Sequence, residues 1–185
     1  MDSPITSTSP ANEFWGINQS IRYGSSTSIL ATTAGIFDSG TTLVLIASSR
    51  LTMTFDQMCA QPNNTRADAF SLYRSATGGV LDASTGLLRI TSAQFANLKS
   101  LFFTIGGTTF EFTANAQIWP RSLNSAIGGT PGSIYLVVND IGSPTGSGLD
   151  FINGYTFSER FYTVYDTTHS LIGVATTPFT TATTN

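Results

Sequence analysis

Apolar residues along this chain come in short runs that turn residues interrupt again and again, a pattern of strands rather than of long helices. Residues 14–23 alternate, with Trp15, Ile17 and Ile21 set against Gly16, Asn18 and Ser20. Runs at 36–37 and 43–46 flank a turn at Asp38-Ser39-Gly40. Further runs at 87–90, 101–105, 109–112, 134–138, 161–165 and 171–175 read as strands, and Gly106-Gly107 reads as a hairpin turn between two of them. Helical signals are fewer. Asp68 can cap a helix through Tyr73 that stops near Gly78-Gly79, Ser92 can cap a turn through Leu98, and residues 157–160 can make one more. No period of 20 to 50 residues repeats, which argues against a solenoid or propeller. The pattern predicts a mainly β fold with a few short helices.

The chain has 185 residues, which predicts one domain over 1–185 with enough volume for a core that needs no metal or disulfide. Only 10% of the residues are charged, the formal net charge is −3, and Lys99 is the sole lysine. Clustered basic residues are what a phosphate backbone requires, so nucleic acid is excluded as a partner. The longest apolar run, 43–47, is far short of a bilayer span, so no membrane is expected either. Ser and Thr supply more than a quarter of the residues and take the place of surface charge. Such a surface changes little as pH falls, which suits an acidic extracellular space.

Cys59 is the only cysteine and His169 the only histidine. These counts exclude an intrachain disulfide, a multi-His or thiolate metal site, and any Ser-His-Asp device that does not run through His169. His169 itself reads as a solvated turn residue. No metal and no cofactor is expected. The opening Met1-Asp2-Ser3-Pro4 lacks the positive and apolar regions of a secretory leader. Asn18 and Asn63 lie in Asn-X-Ser/Thr sequons, and Trp15 and Trp119 read as core aromatics.

The informative stretch is 35–46, where two apolar residues enter an Asp-Ser-Gly turn, two threonines follow, and a four-residue apolar run begins. It presents the Asp38 carboxylate at the tip of a turn between two buried strands. Gly40 permits the tight turn, and Ser39 and Thr41 can donate hydrogen bonds that keep the carboxylate ionised. The segment 49–66 differs from its surroundings: it holds Cys59, both internal methionines and two of the seven arginines, and it follows neither strand nor helix periodicity.

The stretch 35–46 resembles the active-site loop of the pepsin-like aspartic endopeptidases: two apolar residues, Asp, Thr or Ser, Gly, then Thr or Ser twice. The likeness extends to Phe14-Trp15-Gly16-Ile17, to Phe151-Ile152-Asn153-Gly154 with the strand after it, and to Leu171-Ile172-Gly173-Val174-Ala175. The wording of 15–20, 87–107 and 115–120 is nearest the secreted fungal, polyporopepsin-like branch. The resemblance implies one lobe, the C-terminal one, of a two-lobed double-psi β-barrel fold. It implies an aspartic endopeptidase that cuts extended peptides at acid pH and is secreted, with a vacuolar location as the alternative.

In that family two Asp-Thr/Ser-Gly loops, one per lobe, bring together two carboxylates that share a proton and activate water. Only one such loop is present here; the nearest second fragment, Asp82-Ala83-Ser84-Thr85-Gly86, has the wrong spacing. The resemblance therefore implies Asp38 as one catalytic carboxylate, and a partner in an absent N-terminal lobe or a second copy of this chain. The isolated chain is expected to be inactive. By the same resemblance Thr41 holds the Asp38 carboxylate, Ser39 grips the opposite lobe, Gly40 and Thr42 contact the peptide, and Ile36 lines a subsite. Ile152 and Gly154 pack beside the active-site loop. Two departures stand out. Asn153 occupies a position where the family has an apolar residue, which weakens the expected packing. Segment 49–66 is an atypical insert, a surface loop or a retained intron. A different class of function, a peptide- or inhibitor-binding lobe without catalysis, is the alternative reading.

Overall fold

A computed structural model describes residues 1–48 and 68–184. The expected insert at 49–66, with Cys59 and Asn63, lies outside them. The described residues are mainly β, as the periodicity predicts. In chain order the strands are β1 (Asp2–Pro4), β2 (Gly16–Tyr23), β3 (Thr27–Phe37), β4 (Val44–Ile46), β5 (Val80–Leu81), β6 (Leu88–Ile90) and β7 (Leu101–Ile105). They continue as β8 (Thr108–Phe112), β9 (Ile134–Tyr135), β10 (Val138–Asp140), β11 (Phe151–Asn153), β12 (Phe161–Asp166) and β13 (Leu171–Thr176). Among the described residues there are also three α-helices: α1 (Ala69–Thr77), α2 (Ser92–Ala96) and α3 (Tyr155–Ser158).

The main sheet has seven strands in the order β10-β4-β11-β3-β2-β7-β8. Strands β3 and β4 are consecutive in the described chain and joined by the Asp38 turn, yet they do not pair with each other. β11 lies between them, parallel to β3 through Ile152 and Ile36, and antiparallel to β4 through Ile152 and Leu45. This threading of a late strand between two early ones is the psi arrangement that the resemblance implies. A second antiparallel sheet runs β1-β13-β12, and a small third one runs β5-β6-β9.

Local chemistry accounts for the helix ends. The Asp68 side chain accepts the Ser71 N–H at 2.6 Å to start α1, and Gly78 ends it at φ +68°, a left-handed turn that glycine adopts without strain. The cap of α2 is Thr91 rather than the expected Ser92. The Thr91 hydroxyl and the Gln94 carboxamide each accept a backbone N–H of the other residue, so the better signal was the Thr-x-x-Gln box. The expected turn at 157–160 begins earlier, at Tyr155. Its first N–H groups bond outward, Tyr155 to the Thr41 carbonyl at 2.7 Å and Thr156 to that of Thr42 at 3.0 Å, a tertiary cause invisible to local pattern.

Strand β3 is far longer than the two-residue run that marked it. Thr27, Ser28, Ala31 and Thr32 are exposed and only Ile29 and Leu30 between them are buried, so this part of the strand does not alternate. The core beneath is aromatic. Phe157, fully buried, has ring centroids 4.6 Å from Phe161, 5.2 Å from Phe103, 5.5 Å from Phe37 and 6.2 Å from Phe112. Phe37 is the residue before Asp38, so the packing of α3 reaches directly to the turn.

Candidate active site

Asp38 leaves β3 where pairing with β11 ends, and its N–H donates to the Asn153 carbonyl at 3.2 Å. The turn closes through the Thr41 N–H onto the Asp38 carbonyl, also at 3.2 Å. Each carboxylate oxygen has its own donor: the Gly40 N–H reaches Oδ1 at 2.9 Å and the Thr41 hydroxyl reaches Oδ2 at 2.7 Å. Hydrogen bonds to the ionised form favour it. The Thr41 hydroxyl, followed by the Gly40 amide, holds Asp38 below the usual carboxylate range against a small opposing effect of burial. Of the two hydroxyls the sequence offered as donors, Thr41 serves and Ser39 does not; Ser39 is exposed at the turn tip.

The remaining expected residues gather around this turn. Gly154 packs so closely that a Cβ there would run into the carbonyl oxygens of Leu43 and Thr41, which makes glycine a requirement of the close approach. Ile152 is half-buried and packs against the small buried cluster of Ala11, Ala34 and Ile36. Ile36, 7% exposed, and Asp38 share a cavity of about 510 Å³. The Thr42 side chain is exposed while its carbonyl receives α3.

Other residues enter the site without having been expected there. Ile5, Glu13 and Phe14 line the cavity with Ile36, Phe37 and Asp38. Trp15 lines it too, half-buried and edge-on to Tyr165 at 5.0 Å, so it serves the cavity as well as the core. Asn153 reverses the packing expectation. It is fully buried and its carboxamide exchanges two hydrogen bonds with that of Gln19, also fully buried: Gln19 Nε2 to Asn153 Oδ1 at 3.1 Å, and Asn153 Nδ2 to Gln19 Oε1 at 2.8 Å. The loop is pinned by a matched polar pair where an apolar contact was expected. A signal for this existed, because the Ile17–Ile21 alternation points Gln19 inward. His169 sits on an exposed turn, its Nδ1 2.7 Å from Asp166 Oδ2, and it is not among the residues that line the Asp38 cavity. Among the described residues no three His, Cys, Asp or Glu side chains gather as metal ligands, and no helix is long and apolar enough to cross a membrane.

Comparison with known proteins places this geometry. Polyporopepsin from Irpex lacteus is 64% identical over 183 residues, covering 99% of this chain and 48% of that protein. The crystal structure of the aspartic proteinase from Irpex lacteus superposes with a TM-score of 0.88 and 65% identity, over all of this chain and 48% of that one. The chain thus spans about half the length of the relatives it matches. A family model described as eukaryotic aspartyl protease matches residues 2–177, and with an Asp-Ser-Gly turn cradled by a psi-threaded strand, the chain belongs to that family.

Proposed function

We propose that this chain is one half of an aspartic endopeptidase and that Asp38 is one of the two carboxylates that hydrolyse the peptide bond. The observation that carries the reading is the Asp38 cradle: one donor on each carboxylate oxygen, at the edge of an open cavity, on a turn locked from behind by Asn153 and Gly154. A carboxylate so held stays ionised and keeps outward lone pairs for a water molecule. When a second carboxylate stands beside it the two cannot both ionise cheaply, so one takes a proton; the aspartic protease pair is itself the standard instance of this rule. The ionised member then accepts a proton from the attacking water, and the protonated member polarises the scissile carbonyl and passes a proton toward the leaving nitrogen. Gly40 and Thr42 offer backbone and hydroxyl contacts to an extended peptide, and Ile36 supplies an apolar wall.

The partner is the other half of the enzyme, with Ser39 at the turn tip available to grip it. Exposed aromatic surface supports this: Phe14 is 54% and Tyr162 is 64% exposed, with Tyr165 beside Trp15 at the cavity. The sparse charge and the Irpex lacteus relative support a secreted, fungal, acid-tolerant enzyme. The test is casein hydrolysis near pH 3, with and without pepstatin, by this chain alone and after refolding with the other half of the Irpex lacteus enzyme. Pepstatin-sensitive cleavage only in the recombined protein is expected. Equal cleavage by the chain alone, or none after a shown recombination, would overturn the reading.

A further inference from the structure

Beneath the Asp38 turn the protein keeps two fully buried carboxamides, Gln19 and Asn153. Asn153 pairs with Phe37 on one side and Val44 on the other, and Gln19 stands between Thr33 and Ile105 on β2, where the register with β3 slips at a bulge. They are 134 residues apart and join only through each other, one N–H and one carbonyl from each. Neither carboxamide is left with an unsatisfied buried atom. The same Asn153 presents its backbone carbonyl to the Asp38 N–H. The backbone that carries the reacting group is therefore tied through Asn153 to a side-chain lock that reaches from β11 past β3 to β2.

We propose that Gln19 and Asn153 are a matched positioning pair for Asp38: their reciprocal hydrogen bonds fix β11 in the gap between β3 and β4, and through the Asn153 carbonyl they fix the turn that holds the carboxylate against Thr41 and Gly40. The inference rests on the reading of Asp38 as a reacting group. The physical asymmetry is sharp. Removing one carboxamide orphans the other at a fully buried position, which costs more than removing both, because two apolar residues leave nothing unsatisfied. An orphan under the turn draws in water or shifts β11, and either change loosens the Asp38 cradle. Substitution at the two positions is thus coupled: each tolerates an apolar residue only when the other has one.

The test reads Asp38 directly, by carbon-detected NMR titration of its carboxyl in the 185-residue chain, with urea unfolding alongside. The variants are Gln19→Met, Asn153→Leu and the two together. Glu13, the other titratable side chain lining the Asp38 cavity among the described residues, is unchanged in all of them. Either single variant is expected to weaken the acidity of Asp38 by about threefold or more in its dissociation constant, and the double variant to recover most of that change. Should Asn153→Leu fail to fold, Gln19→Met removes the same two bonds with little change of volume and carries the comparison. Single variants that lose stability while Asp38 titrates as in the parent would overturn the proposal, as would a double variant whose changes equal the sum of the singles. A failure of the recombined enzyme to cut casein would touch only the proposed reaction, since these readouts require no catalysis.

Discussion

Thr41 has a side chain whose contribution is visible at a single atom, the hydrogen bond to Asp38 Oδ2 at 2.7 Å. Thr41→Val keeps the shape and removes the donor, so the Asp38 titration is expected to move upward, toward the ordinary carboxyl range. The sign for stability follows. A carboxyl whose folded value is depressed stabilises the fold above the ordinary carboxyl range and loses that contribution as pH falls through its folded value. The variant is therefore expected to be less stable by about 1 kcal/mol at neutral pH and nearly equal to the parent at strongly acid pH, as measured by urea unfolding at each pH. A constant deficit across pH would mean that the hydroxyl acts elsewhere. Gly154 gives a second residue-scale expectation. Gly154→Ala must push its methyl group against the Leu43 and Thr41 carbonyls, so the chain is expected to lose both stability and the Thr41–Asp38 contact. Unfolding and the same carboxyl titration check it, and an unchanged titration would show that the loop gives way elsewhere.

Among the elements, α3 is one short turn that connects the site to the core. Its N–H groups bind the Thr41 and Thr42 carbonyls, and its Phe157 stands amid Phe37, Phe103, Phe112 and Phe161. Phe157→Ala leaves a cavity at the centre of that cluster and is expected to cost about 3 to 5 kcal/mol in urea unfolding. A loss under about 1 kcal/mol would mean the cluster collapses without consequence for the fold. What could be read in advance divides along the same lines. The Asp38 turn, the strands with alternating residues and the α1 boundaries were legible because their causes are local: a carboxylate cap, a left-handed glycine, a period of two. The length of β3, the start of α3 and the Gln19–Asn153 lock were not, since each depends on residues remote in sequence. In the N-terminal part of β3 only Ile29 and Leu30 reach the core, and the exposed residues around them are held in the strand by pairing with β2. Asn153 looked like a defect in a known pattern, and only its contact with Gln19 shows it as a fit. The cavity lined by Phe14, Trp15 and Ile36 is likewise a product of strand order.

For the whole molecule the small charge count has a consequence for pH. Besides Asp38, Asp82 is held below the usual range, first by the Ser84 hydroxyl, and Asp166 first by its hydrogen bond with His169. These groups keep their stabilising ionisation until pH passes below the ordinary carboxyl range, near about 4. Glu159 runs the other way: burial raises it against the pull of Arg160, so its protonation on acidification relieves a strain of desolvation. The melting temperature of the chain is accordingly expected to change little from neutral pH down to about 4 and to decline below it. Calorimetry across that range tests this, and a steep drop between about pH 6 and 5 would contradict it. The most direct measurement of the proposed chemistry compares Asp38 with Asp38→Asn in protein recombined from this chain and the other half of the Irpex lacteus enzyme, by the rate of casein cleavage near pH 3. Pepstatin-sensitive cleavage is expected with Asp38, and a loss of at least about a thousandfold with Asn, whose amide neither accepts the water proton nor shares one with its partner. Cleavage by the Asp38→Asn protein within about tenfold of the parent would contradict a catalytic role for this carboxylate.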